Sequence, residues 1–134
     1  MNNYTETGSS GQSALGRAET AGAGRGTMPA HRIYISGPMT GLPDFNYPAF
    51  NAEAARLRAL GYEVESPAEN PQQPDWEGYM RQALIQMLTC DAVAFLPGWA
   101  ESRGALLERY VANQVGLATI PASAITEGLS SWAS

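Results

Sequence analysis

Apolar residues occur along the chain in two alternating patterns, as short runs and as longer stretches in which they recur every three or four positions. The short runs lie at residues 32–36, 62–66, 91–96 and 117–120, and each ends directly before a Gly or a Pro. Runs of this length with β-branched and aromatic residues are typical of strands. The pattern therefore predicts four strands separated by helices.

The longer stretches predict three helices, each with a residue that suits its start. Pro48 fits the first turn of a helix that continues to Gly61. Asp75 is a good N-cap for a second helix, which extends to Leu88, and Ser102 is a good N-cap for a third. The side chains expected on the buried face of the second helix are Tyr79, Ala83, Leu84, Met87 and Leu88.

Strands that alternate with helices predict an α/β domain with a parallel sheet and right-handed crossovers. We expect a flavodoxin-like or Rossmann-like three-layer sandwich with four or five strands in the order 2-1-3-4. In this order the chain changes direction between strands 1 and 3, and such sheets bind ligands outside the carboxyl ends of those strands. The loops that follow these two strands are therefore predicted to form one site.

The first thirty residues differ from the rest of the chain. Residues 1–30 are rich in Gly, Ser, Thr and Ala, with apolar residues at scattered positions, which is typical of a disordered tail. Residues 31–134 are then expected to form a single domain. Trp132, beyond the fourth strand, is expected either to pack back on this domain or to mark a contact between subunits.

Composition and charge exclude several classes of protein. The formal net charge is −5, whereas a protein that binds duplex nucleic acid needs a basic surface. All basic residues are Arg, so the chain has neither a Schiff-base lysine nor a P-loop lysine. The single histidine, His31, excludes a multi-histidine metal site and a Ser-His-Asp triad with a well-placed base.

The protein is also expected to be soluble and cytoplasmic. No apolar run approaches the roughly 20 residues that cross a bilayer. Cys90 is the only cysteine and cannot form an internal disulfide, which fits a reducing compartment.

The loop after the first strand is a glycine-flanked turn, GPMTG at residues 37–41. Such a turn can bring backbone N–H groups close to an anion, and the N-terminus of the third helix adds a partial positive charge and the Ser102 hydroxyl. A phosphate or a polar sugar would suit this arrangement. Two plainer interpretations stay open, namely that the glycines serve only the turn and that Ser102 only caps its helix.

Glu108 lies one and a half turns into the third helix, where a carboxylate faces the carboxyl edge of the sheet. Gly104, Ala112 and Gly116 are in line with it at four-residue spacing and are too small to cover it. Alternatively, the small residues let the helix pack tightly, with Glu108 at its solvated margin. Tyr34 in the first strand is either a core residue or a hydrogen-bond donor to a carboxylate in the crevice.

Three further residues have two interpretations each. Trp99 and Phe45 lie in the two loops and either sandwich a planar base or pack on their own domain. Asp91 opens the third strand, at the edge of the sheet opposite the predicted site. There a structural role, in capping or pairing, is favoured over catalysis.

Three segments carry a resemblance to a known family: YISGPMTG, DFNYPAFN and CDAVAFLPGWAESRGALLE. Over residues 32–120 the chain resembles small phage and bacterial domains in the nucleoside 2-deoxyribosyltransferase-like superfamily. That superfamily includes the 2′-deoxynucleoside 5′-phosphate N-hydrolases, whose pattern has a Tyr in strand 1, a Gly-rich loop after it, and a Ser followed six residues later by a nucleophilic Glu. These elements correspond here to Tyr34, residues 37–41, Ser102 and Glu108.

The resemblance implies that Glu108 attacks the anomeric carbon of a 2-deoxyribosyl group as the base departs, giving a covalent intermediate that water or a second base resolves. Tyr34 then orients the carboxylate. The resemblance also implies a nucleoside or nucleotide partner, a homodimer, and no metal or organic cofactor. The residues that it and the loop positions assign to substrate binding are Gly37, Pro38, Met39, Thr40, Gly41, Phe45, Asn46, Gly98, Trp99, Ser102, Arg103 and Gly104.

One position departs from the family pattern. Relatives carry an Asp on the second helix, in a stretch resembling YMRxD, that is assigned to handling the proton of the leaving base, and Ala83 stands at that position here. Three hypotheses result: an enzyme that cleaves or exchanges the N-glycosidic bond, a non-catalytic nucleotide binder or sensor, and a phage structural protein that only shares the fold. Release of free base, abolished by Glu108→Gln, favours the enzyme.

Overall fold

The computed structural model describes residues 30–128, which contain four strands and three α-helices. In chain order they are β1 (Arg32–Ser36), α1 (Tyr47–Ala59), β2 (Glu63–Glu65), α2 (Trp76–Met87), β3 (Ala92–Phe95), α3 (Arg103–Gln114) and β4 (Ala118–Pro121). The predicted N-terminal tail and Trp132 lie outside the described residues. No helix in the described part is long and apolar enough to cross a bilayer.

The four strands form one parallel sheet in the order β2-β1-β3-β4, which confirms the predicted order. The central strands β1 and β3 pair with Tyr34 beside Val93 and Ser36 beside Phe95. Both strands therefore end at the same height, and the loops that follow them start side by side.

The helices lie on both faces of the sheet, as in a Rossmann-like sandwich. Right-handed crossovers place α1 on one face and α2 and α3 on the other, because the chain moves in opposite directions from β1 to β2 and from β2 to β4. One core lies between the sheet and α2 and α3; its members are Tyr34, Ala83, Met87, Cys90, Val93, Phe95 and Ala112. This is the face of the sheet that Tyr34 and Ser36 share.

Asp75 caps α2 as predicted, since its Oδ1 accepts the N–H of Gly78 at 2.7 Å. The predicted buried face of α2 is wrong in one residue and incomplete in another. Leu88 is half exposed because the helix ends at Met87, and Met80 is buried instead. Met80 was not expected there because the rotation of a helix about its axis depends on its neighbours.

The predicted stripe of small residues along α3 is shorter than expected. The helix ends at Gln114, and Gly116 follows it with a φ of 81°, so that Gly116 belongs to the turn into β4. Ala112 is part of the core. Only Gly104, one turn before Glu108, leaves space next to the carboxylate.

Candidate active site

The loops after β1 and β3 touch each other, although about sixty residues separate them in the chain. A Cβ on Gly37 would lie 2.9 Å from Cβ of Leu96. On the other side, Gly98 has a φ of 86°, and a Cβ there would lie 3.3 Å from Cγ of Pro38. Glycine is therefore needed at both positions for the loops to approach this closely.

Glu108 is buried where these loops meet, with only 4% of its surface exposed. Its Oε2 accepts a hydrogen bond from the hydroxyl of Tyr34 at 2.5 Å, and its Oε1 accepts one from the hydroxyl of Ser36 at 2.6 Å. The alternative that placed Glu108 at a solvated margin is thus wrong. Tyr34 is both a core residue and a donor to the carboxylate, so its two interpretations hold together.

Burial determines the charge state of Glu108. Loss of hydration raises the pKa of Glu108 to about 7, and the hydrogen bonds from Ser36 and Tyr34 limit this rise. In the described residues no Arg or His forms an ion pair with it. Near neutral pH the side chain therefore exchanges readily between carboxylic acid and carboxylate, as suits a group that takes part in a reaction.

Tyr34 remains a phenol at any ordinary pH. Burial raises the pKa of Tyr34 well above its usual range, and the neighbouring charge of Glu108 raises it further. The Tyr34 hydroxyl consequently acts as a fixed hydrogen-bond donor.

Glu108 lines a small cavity of about 50 Å³, which we call the acidic cavity. Its wall combines the loop after β1 with the first turns of α2 and α3. The lining residues are Gly37, Met39, Thr40, Pro67, Trp76, Tyr79, Met80, Ser102, Gly104, Ala105 and Glu108. A Cβ on Gly104 would lie 3.1 Å from Sδ of Met80, so a larger residue there would narrow this space.

A second cavity of about 330 Å³, the aromatic cavity, shares Met39, Thr40, Trp76 and Tyr79 with the first. It has the size of a small-molecule site, and the acidic cavity forms its continuation toward the sheet. Its lining residues are Met39, Thr40, Phe45, Tyr47, Asn70, Pro71, Gln72, Gln73, Trp76 and Tyr79. The Tyr79 hydroxyl is 2.8 Å from Sδ of Met39, which ties α2 to the loop after β1.

One wall of the aromatic cavity is held in an unusual backbone conformation. Asp44, Phe45 and Asn46 have φ values of 51°, 52° and 61°, although none is a glycine. Each such residue costs on the order of 1–3 kcal/mol. The Nδ2 of Asn46 donates to the carbonyl of Pro38 at 3.0 Å and stabilises this turn, which leaves Phe45 half exposed on the cavity wall.

Backbone donors are available beside the acidic cavity. The N–H groups of Met39, Thr40, Gly41, Arg103 and Gly104 donate to no other group of residues 30–128. The hydroxyl of Ser102 accepts the N–H of Ala105 at 3.1 Å, which confirms Ser102 as the N-cap of α3. Because this cap is neutral, it leaves the positive end of the helix dipole uncompensated.

Several residues that were predicted to contact a ligand make other contacts or lie away from the two cavities. Pro38 and Gly98 pack against each other, and Gly41 lines neither cavity. Trp99 packs on Phe95, with ring centroids 5.0 Å apart, and lines a separate crevice beside β4. The predicted sandwich of a base between Trp99 and Phe45 is therefore wrong.

The rings that share the aromatic cavity with Phe45 belong to Tyr47, Trp76 and Tyr79. The guanidinium carbon of Arg103 lies 3.6 Å from the centroid of the Trp76 ring, a cation–π contact that joins the first turns of α2 and α3. Arg103 thus acts on the site through Trp76.

Sequence reasoning missed Ser36 and much of the lining of the two cavities, including Trp76 and Met80. Ser36 had a usable signal, because it lies two positions after Tyr34 and so points to the same face of the sheet. Trp76 and Met80 had none, since their place depends on how α2 packs against α3.

Ala83 occupies the position at which the resemblance implies an Asp. Ala83 is fully buried in the core with Tyr34 and Met87, and it lines neither cavity. Of the described residues that line the two cavities, Glu108 alone carries a carboxylate. Residues 30–128 contain no cluster of His, Cys, Asp and Glu that would hold a metal ion.

Comparisons with known proteins identify the fold and the family. A solved structure described as a 2-desoxiribosyltransferase from Leishmania mexicana is similar, with a TM-score of 0.56 and 19% sequence identity over 67% of this chain. The similar region spans 62% of that chain, and at this identity the likeness concerns the fold. No curated protein matches.

A family described as "Domain of unknown function (DUF4406)" matches residues 31–120. The match includes β1 and β3, both loops that follow them, and Glu108. The chain is a member of the DUF4406 family.

Proposed function

We propose that this protein cleaves or exchanges the N-glycosidic bond of a 2′-deoxynucleoside or its 5′-monophosphate, with Glu108 as the nucleophile. The observation that carries the proposal is the buried carboxylate of Glu108, held by two hydroxyl donors at the end of a ligand-sized cavity. The likeness to a 2-desoxiribosyltransferase in fold supports the same class of reaction.

The chemistry follows from the geometry of Glu108. One carboxylate oxygen attacks the anomeric carbon while the bond to the base breaks and its electron pair passes to the base, through an oxocarbenium-like state. Tyr34 and Ser36 hold both oxygens in place, so the carboxylate does not have to be oriented during the reaction. Water or a second base then attacks the sugar and regenerates Glu108.

The sugar end of the substrate would lie against the loop after β1. The free N–H groups of Met39 and Thr40, together with the first turn of α3, suit a 5′-phosphate or a 5′-hydroxyl. The base would extend into the aromatic cavity, where planar rings can pack on it.

The proposal is tested with a panel of deoxynucleosides and their monophosphates, incubated with purified protein and scanned for liberated base. We expect release with the wild type and none above background with Glu108→Gln. A transferase would need an added acceptor base for fast release, whereas a hydrolase would not. Absence of release from every substrate in the panel would contradict the enzyme.

A second candidate is a nucleotide binder or sensor without turnover. It is favoured by the lining of the two cavities, in which Glu108 has no second carboxylate beside it from residues 30–128. A binder predicts saturable binding of a deoxynucleotide to the wild type with no release of base. Equal affinity of the wild type and Glu108→Gln, with neither releasing base, would establish this alternative.

We also propose that the chain forms a homodimer through the outer surface of α2 and α3. Ile85, Leu88, Leu106, Tyr110 and Val115 are each about half exposed or more on or next to these helices, and exposed apolar residues on neighbouring elements are typical of contact surfaces. Light scattering with Ile85→Glu and Tyr110→Glu tests this: the wild type should have twice the mass of the variants. A monomeric wild type would refute it.

A further inference from the structure

Among residues 30–128, no side chain other than Glu108 that lines the two cavities is an acid able to protonate a departing base. Glu108 is already used as the nucleophile in the proposed function, on which this inference rests. Glycosidases ordinarily use a pair of carboxyl groups, one of which protonates the leaving group. The remaining polar side chains of the aromatic cavity are hydroxyls and carboxamides. Burial raises the pKa of Tyr79, so its phenol holds its proton even more tightly than usual.

A leaving group that is already cationic has no need of such an acid. In a glycoside whose ring nitrogen carries a positive charge, the electron pair of the broken C–N bond neutralises that charge. The base departs as a neutral molecule while Glu108 forms its ester with the sugar. Water then attacks the anomeric carbon, the ester bond breaks, and one proton is released, so the reaction balances without an acid for the base.

The walls of the aromatic cavity suit a cationic ring. Phe45, Tyr47, Trp76 and Tyr79 line it, and aromatic rings attract cations through their quadrupoles. No Arg, Lys or His is among the described residues that line it. Of the four rings, only Trp76 has a cation stacked on it within residues 30–128, namely Arg103.

The carboxamide side chains that line the aromatic cavity also suit a cationic ring. Asn70, Gln72 and Gln73 lie on one side of it, and each carries both a donor and an acceptor without a charge. The Nδ2 of Asn70 already donates to Oε1 of Gln86 at 2.9 Å, which orients the Asn70 oxygen. Neutral groups of this kind can hydrogen-bond to the edge of a heterocycle and do not repel its charge.

We infer that the aromatic cavity selects a cationic heteroaromatic base as the leaving group, so that the substrates are deoxyribosides with a positively charged ring nitrogen. A neutral purine or pyrimidine would be cleaved about a hundredfold or more slowly than the cation.

Two measurements test this inference independently. The first compares base release from the 2-deoxyriboside of nicotinamide, which is cationic, with release from neutral 2′-deoxyadenosine and 2′-deoxycytidine, each corrected for the rate without enzyme. We expect release from the cation to be faster by about a hundredfold or more, since protonation of the base is no longer required. Equal or faster release from the neutral compounds would overturn the inference.

The second measurement concerns binding and needs no turnover. 1-Methylnicotinamide and nicotinamide are nearly the same size and differ in charge, and tryptophan fluorescence can follow the binding of both. We expect the cation to bind about tenfold more tightly, within the range of a cation–π contact. Equal affinities would overturn the inference.

Substitutions of aromatic residues that line the cavity test whether these residues cause the preference for the cation. Phe45 is half exposed, so Phe45→Leu removes a ring without opening a hole in the core, and the preference for the cation should fall in both measurements. Trp76→Leu is a second variant that should act in the same direction. A preference that neither variant changes would show that the cavity is not its source.

The design separates this inference from the proposed function. If the cation is preferred in binding while no glycoside releases its base, the cavity's preference is supported and the nucleophilic role of Glu108 fails. If neutral deoxynucleosides are cleaved rapidly and Glu108→Gln is inactive, the proposed function stands and the inference is wrong.

Discussion

Two carboxylates at opposite edges of the sheet accept hydrogen bonds in contrasting ways. Oδ2 of Asp91, at the amino edge, accepts the backbone N–H groups of His31 and Arg32, both at 3.0 Å, and the residue is exposed. Glu108, near the carboxyl edge, is buried and accepts the side-chain hydroxyls of Tyr34 and Ser36. Asp91 therefore joins two strands in contact with water, whereas Glu108 is removed from water and borders a cavity.

The comparison teaches that burial, more than the number of hydrogen bonds, distinguishes the carboxylate that we propose as the nucleophile from the one with a structural role. Each accepts two hydrogen bonds, and only Glu108 lies where solvent cannot stabilise its charge. The structural role expected for Asp91 is confirmed by its contacts. Substitutions of the two residues should therefore have different effects.

The largest difference is expected in the rate of base release. Replacement of Glu108 by Gln keeps the shape of the side chain and removes the nucleophile, so release should fall on the order of a thousandfold or more. The matched control, Asp91→Asn, should release base at nearly the wild-type rate. Similar decreases in the rate of base release for both variants would contradict a specific role of Glu108 in the reaction.

The pH dependence of stability should come next. The pKa of Glu108 is about 7 in the folded protein, compared with 4.5 for the ordinary side chain. A carboxyl with a raised pKa in the folded state favours folding fully below the unfolded value, and this contribution is lost as the pH rises through 7. Relative to Glu108→Gln, the wild type should lose up to about 3 kcal/mol of unfolding free energy between pH 4.5 and pH 8.

Urea unfolding of both proteins across this pH range measures that difference. Because the other titrating groups are shared, the difference between the two curves isolates Glu108. A constant difference would contradict the raised pKa. A difference that grows in the opposite direction would indicate a lowered one.

Tyr34→Phe should have an intermediate effect. It removes the donor to Oε2 of Glu108 and leaves the ring in the core, and loss of a hydrogen bond to a charged group corresponds to a decrease of about 10- to 100-fold in rate. The wild-type rate should rise with pH through about 7, as the carboxylate forms. In the variant this rise should move to higher pH, because the hydrogen bond lowers the pKa of Glu108.

A shift of the pH profile separates orientation of the carboxylate from general damage to the fold. If Tyr34→Phe lowers the rate equally at all pH values, the hydroxyl does not act through Glu108.

The smallest effect is expected for Asp91→Ala. Two backbone N–H groups lose their shared acceptor but remain open to water, so the protein should lose about 1 kcal/mol of unfolding free energy. The rate of base release per folded molecule should stay the same. Thermal unfolding together with the release assay measures both, and a fall in rate beyond the fraction unfolded would assign Asp91 a part in the site.

The strands and their order were predictable from the sequence, because each apolar run ends at a Gly or Pro and the helices between them are long enough for crossovers. The meeting of the loops after β1 and β3 followed from that order. The position of Glu108 followed in turn, since it lies on the helix that begins at the second of these loops.

Other features depend on contacts that have no local pattern. Asp44, Phe45 and Asn46 have a left-handed backbone conformation, but none of them is a glycine that would indicate this conformation in the sequence. Trp99 was misplaced because a loop aromatic can turn toward either side of its strand, and it turns toward β4. Trp76 lines the aromatic cavity because of the way α2 packs on α3. The spacing of apolar residues in either helix does not reveal this packing.

The most direct test of the account is to look for the covalent bond itself. A slowly hydrolysed 2-deoxy-2-fluoro glycoside, which carries a good leaving group, is incubated with the protein, and the product is analysed by intact mass and peptide mapping. We predict a single added glycosyl mass on the peptide that contains Glu108, and none on Glu108→Gln. A label on another residue, or release of the leaving group without any label, would contradict the nucleophilic role of Glu108.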